Sequence, residues 1–154
     1  MVKRALAALL LLAGPAAAAE VPVLNFTNVD SPSHFAARAL MEQEMGAEIG
    51  DEFVLITEID LDFDGADEVF AFAYTDWFCG TAGCVPRIYS PDGDGWNEIQ
   101  IGLNEFINSY PENWSVAPEP QNGHVALVLT ESNFATTFVW DGTAYVSTEA
   151  LGAE

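Results

Sequence analysis

Cations are nearly missing from this chain. Its 154 residues hold 4 Lys plus Arg against 24 Asp plus Glu, a formal charge of −20. Proteins that bind polyanions draw most of their affinity from Lys and Arg neutralising phosphates, so a general nucleic-acid binder is excluded. Anionic membrane surfaces are poor partners for it by the same argument. Long apolar runs are missing as well: the longest, Ala5 to Ala13, is about nine residues where a membrane-spanning helix needs roughly 20. The sequence has no G-x-S-x-G, H-E-x-x-H or phosphate-loop segment, so the familiar signatures of nucleophilic, zinc-hydrolytic and nucleotide chemistry are absent. The two histidines, His34 and His124, lie far apart, and neither has a metal-ligand partner at a recognisable spacing.

What is present is apolar and aromatic. Half of the chain is hydrophobic, with 10 Phe, 4 Trp and 4 Tyr, which is too much for a disordered acidic tail and enough for one buried core. Lys3 and Arg4, the short apolar run, the Gly14-Pro15 break and the small residues Ala16 to Ala19 together read as a signal peptide over residues 1–19. Residues 20–154 then form a single globular domain, exported to a periplasm or to the outside of the cell. Cleavage would take the charge from −20 to −22 and leave Arg38 and Arg87 as the permanent cations, with no lysine for Schiff-base chemistry. Export also favours a disulfide between Cys79 and Cys84, whose CGTAGC spacing suits a local clamp on one hairpin. Loop entropy assigns so small a closure about 2 kcal/mol.

Ser31-Pro32 marks a helix start, and a helix is expected over residues 32–45, with Phe35, Ala36, Ala39 and Leu40 on its apolar side and Gly46 as its stop. Strands are expected over 53–59, 68–78, 85–90, 96–101, 124–131, 134–140 and 144–148, with 21–29 extended and 103–110 ambiguous. The fold class is therefore α+β, mainly antiparallel β with about seven short strands and one N-terminal helix packed on the sheet. Trp77, Phe78, Trp96 and Trp114 read as core and turn packing. Asn25-Phe26-Thr27 and Asn113-Trp114-Ser115 match the N-glycosylation pattern, which matters only on a eukaryotic secretory route.

The most informative segment is Asp60-Leu61-Asp62-Phe63-Asp64-Gly65-Ala66-Asp67-Glu68, with acids at loop positions 1, 3, 5 and 9 and glycine at position 6. Alternate side chains of a tight loop point inward, and a hard cation such as Ca²⁺ wants six to eight oxygens, so Asp60, Asp62, Asp64, the Ala66 carbonyl and Glu68 are the candidate ligands. An EF-hand would require Glu at position 12 followed by a helix, whereas Ala71 stands there inside a strand pattern. An acidic turn between two strands is the other reading of the same residues.

D-L-D-x-D-G-x-x-E running into an apolar strand resembles the FG-GAP and VCBS type of repeat, in which such loops lie between strands and bind calcium. The segment Phe138-Val139-Trp140-Asp141-Gly142-Thr143-Ala144-Tyr145-Val146 resembles the closing hairpin of small exported proteins of that kind. The resemblance implies calcium at the Asp60–Glu68 loop in a single-copy relative, because the chain is too short for the blades of a propeller.

Shifted by 30 residues against itself, the chain places Ser90, Asp92, Asp94, Gly95 and Glu98 on Asp60, Asp62, Asp64, Gly65 and Glu68. This is a possible second metal loop (Ser90, Asp92, Asp94, Glu98), or simply the tight hairpin that Asp-Gly-Asp-Gly would make without an ion. The function expected from the sequence is an exported, non-enzymatic, calcium-binding protein acting on an unidentified protein or glycan. The alternatives are an acidic inhibitor or binding partner of a basic exported protein such as a lysozyme, and a calcium-assisted hydrolase with no nucleophile and base pair to point to.

Overall fold

The computed structural model describes residues 24–103, 109–132 and 134–148. The signal-peptide reading, and most of the ambiguous stretch 103–110, lie outside the described residues. Helix α1, Pro32–Met45, starts where expected: the Ser31 hydroxyl accepts the His34 N–H at 3.1 Å, and Gly46 closes the other end with its N–H on the Glu42 carbonyl. Its buried face differs from the expected one. His34, Ala37 and Met41 face the sheet, while Phe35 is 46% exposed. The apolar pattern missed this because a histidine holds one of the buried positions, its Nε2 lying 3.1 Å from the Val54 carbonyl.

Ten strands follow among the described residues: β1 Val54–Ile59, β2 Glu68–Ala73, β3 Cys79–Gly80, β4 Gly83–Cys84, β5 Arg87–Asp92, β6 Gly95–Ile101, β7 Trp114–Val116, β8 Leu127–Thr130, β9 Ala135–Trp140 and β10 Ala144–Ser147. Eight of them form one sheet in the order β1-β2-β5-β6-β10-β9-β8-β7. Each half is an antiparallel meander, and the halves join through the one parallel pair, β6 with β10. The expected strand over 68–78 ends at Ala73, because residues 74–78 turn on hydrogen bonds from Phe78 and Cys79 N–H to the Thr75 carbonyl. The expected strand opening at His124 begins at Leu127 instead; His124 lies in a short turn with Gln121 and stacks on Trp140 at 4.9 Å. The structure therefore keeps the α+β class, with one helix packed on a mainly antiparallel, curled sheet.

The curl follows from how the edges are tied. Leu24 N–H bonds the Trp114 carbonyl on β7 at 3.2 Å, and three residues later Thr27 pairs with Ile56 on β1. One short extended segment thus touches both edges of the eight-stranded sheet. Inside the curl lie Phe70, Phe72, Ile88, Trp114, Leu127, Leu129, Phe138 and Tyr145; outside it, α1 covers Val54, Ile56, Val69, Ala71, Ala73 and Tyr89. β2 is buried at every position because it serves both cores, its even-numbered residues pointing inward and its odd-numbered ones toward the helix. Trp114 anchors the inner core with its indole N–H on the Ser109 hydroxyl at 3.0 Å, whereas Trp77 is 62% exposed.

Candidate metal centre

The β1–β2 connection spans residues 60–67 and is folded by its own acids. Asp60 Oδ2 accepts the Gly65 N–H at 3.1 Å, Asp62 Oδ1 accepts the Asp64 N–H at 3.0 Å, and Asp64 Oδ1 accepts the Ala66 N–H at 2.8 Å. The loop also needs two residues in left-handed conformation, Gly65 at φ 90° and Phe63 at φ 64°. Glycine accepts that geometry freely; an exposed phenylalanine is strained by it.

Glu68 opens β2 on its inward face, in line with Phe70 and Phe72, so its carboxylate sits at one end of the curl and is 2% exposed. Oε2 accepts the Leu61 N–H at 2.7 Å and Oε1 accepts the Ser90 hydroxyl at 3.0 Å. Burial raises its carboxyl above the ordinary value, and Asp62 and Asp64 push the same way, against the two hydrogen bonds. Leu61 in turn accepts from Val125 N–H at 2.8 Å, and Tyr145 donates to the Val125 carbonyl at 2.9 Å, so the loop is tied to the second meander.

Asp60, Asp62 and Glu68 each offer a carboxylate oxygen, and these oxygens all lie within 4.8 Å of one another. Asp60 Oδ1 is buried and has no hydrogen-bond partner among the described residues. Such a set of hard oxygen donors fits a hard divalent cation. Asp64 is not part of this group; it is exposed, and one of its oxygens accepts the Ala66 amide.

The residues of the second loop are dispersed. Ser90 bonds Glu68, since the pairing of Val69 with Tyr89 puts positions 68 and 90 side by side. Asp92 accepts from the Asn97 amide at 2.9 Å, and Glu98 faces the other side of the sheet, 3.3 Å from Arg87. The β5–β6 connection is a two-residue hairpin with Gly93 at φ 59°, and it leaves Asp94 exposed at the tip. Sequence reasoning missed Ser90 as a partner of Glu68; only the strand register reveals it. Cys79 and Cys84 are joined by a disulfide that clamps the β3–β4 hairpin.

Comparison of the chain with protein-family models, curated proteins and solved structures gave no match.

Proposed function

We propose that the protein is an exported, non-enzymatic calcium-binding protein whose Asp60–Glu68 loop is ordered by the ion. The observation that carries this reading is the convergence of Asp60, Asp62 and Glu68 oxygens within 4.8 Å, with Asp60 Oδ1 buried and without a partner among the described residues. Three carboxylates so close repel one another, most strongly around the buried Glu68, and a divalent cation among them reverses that repulsion. Calcium is favoured over magnesium because it tolerates an irregular shell of carboxylate and carbonyl oxygens, as a strained loop would supply. The likeness of the motif to FG-GAP and VCBS loops supports the same ion. Export is supported by the pattern of residues 1–19 and by the disulfide.

The test is calorimetric unfolding in EDTA, in millimolar Ca²⁺ and in millimolar Mg²⁺, for the protein and for Asp60→Asn with Asp62→Asn. Asparagine keeps the acceptor for the Gly65 and Asp64 amides while removing the charge. Sub-millimolar calcium binding should add on the order of 1 to 3 kcal/mol, a rise of several degrees in midpoint, and the double substitution should abolish that rise. A midpoint that calcium does not move refutes the reading.

A further inference from the structure

On the opposite side of the sheet, α1 and the β5–β6 hairpin enclose a groove of 330 Å³ lined by Leu40, Gln43, Glu44, Tyr89, Trp96 and Glu98. Leu40, Tyr89 and Trp96 give it an aliphatic and aromatic side, Gln43 adds a polar one, and its rim carries two carboxylates. Both carboxylates already share one cation: Arg87 donates to Glu44 through Nε at 2.9 Å and through Nη2, and lies 3.3 Å from Glu98. The rim therefore retains an excess negative charge. Tyr89 is part of the lining although only 4% exposed, so its ring is packed and its hydroxyl is the part that reaches the groove. Burial holds this phenol well above its ordinary titration range, and the charges of Glu98 and Glu44 add to the effect, so it remains an intact hydrogen-bonding group.

A negative rim, a partly apolar wall and the hydroxyl of a largely buried tyrosine that lines the groove define a receptor for a cation on an aliphatic stem. The chain cannot supply that cation from its described residues. Arg87 is engaged as above, and Arg38 is held by Asp51 and Glu42. The occupant must come from outside, and a chain of charge −20 attracts a strongly basic one. Glu44 already grips Arg87 with both oxygens, so a second guanidinium finds no free planar fork there, whereas an ammonium needs only single acceptors.

We propose that this groove receives the lysine side chain of a basic partner protein, its stem against Leu40 and Trp96 and its ammonium between Glu98 and the Tyr89 hydroxyl. The site is separate from the ion loop and does not depend on it.

Its test is an NMR titration of the labelled protein in EDTA, which keeps the ion loop out of the measurement. The probes are N-acetyl-lysine methylamide, its uncharged norleucine analogue, butylammonium, and a short lysine-containing basic peptide. The lysine probe should shift the Trp96 indole resonance saturably, the norleucine analogue should not, and the peptide should bind more tightly than butylammonium. Glu98→Gln should weaken the lysine probe by roughly three- to tenfold, and Tyr89→Phe, which keeps the ring, should weaken it less. Equal responses to lysine and norleucine would overturn the site, as would shifts spread over the acidic surface without saturation. Butylammonium binding as tightly as the peptide would overturn the assignment to a protein partner. A Glu98→Gln spectrum with native dispersion and undiminished binding would do so as well.

Discussion

Acids of the same formal charge do different work here. Asp141 is fully exposed and still depressed below its ordinary value of 3.8, because the Ala144 and Thr143 N–H groups and the Thr143 hydroxyl all donate to its Oδ1. A carboxylate lowered in the folded state stabilises above its unfolded value, and that contribution is lost as pH falls through the folded one. Asp141→Asn should therefore lower the unfolding midpoint at pH 6, and its deficit against the native chain should shrink once the pH drops below about 3.8, as thermal unfolding across pH 2 to 6 would show. Glu68 is the opposite case, buried and raised. The Asp-x-Asp-x-Asp-Gly spacing made Asp60, Asp62 and Glu68 readable as a group, because alternation in a tight loop is a local property. Ser90 was readable only as a member of a second loop, since its contact with Glu68 depends on a strand register that no local pattern carries.

Among the elements, those with clear periodicity were legible in the sequence. α1 was bounded by Ser31 and Gly46, and β1, β6, β9 and β10 fall within a residue or so of the expected runs. β7 is three residues long and β3 and β4 two each, too short to show alternation. The parallel pairing of β6 with β10 joins segments more than forty residues apart in sequence and left no local sign either. The Cys79–Cys84 bridge closes only the β3–β4 hairpin, which stands outside the eight-stranded sheet. Replacing both cysteines by serine should cost about 2 kcal/mol for the lost closure, plus the burial that Cys84 gives the inner core, and leave the far-ultraviolet circular dichroism of the sheet intact. Loss of all cooperative unfolding in that variant would mean that the clamp supports more than its own hairpin.

At the scale of the whole molecule the dominant fact is self-repulsion. Arg38 and Arg87 are both spent on local ion pairs, and the acids far outnumber the cations, 24 to 4. Screening by a monovalent salt should therefore raise the unfolding midpoint in EDTA, most steeply below roughly 0.1 M, where the Debye length still exceeds about 10 Å. A midpoint that falls or stays level between low and moderate salt would show that the acids are spaced widely enough not to matter.

The segment from Leu24 to Thr27 has a second role beyond pairing. An open sheet has two borders of unpaired amide and carbonyl groups, and each border is a template on which another copy can add a strand. Here one stretch of backbone occupies part of both. Clipping it away would expose β1 and β7 together, on a molecule whose charge alone would then have to keep its copies from assembling edge to edge.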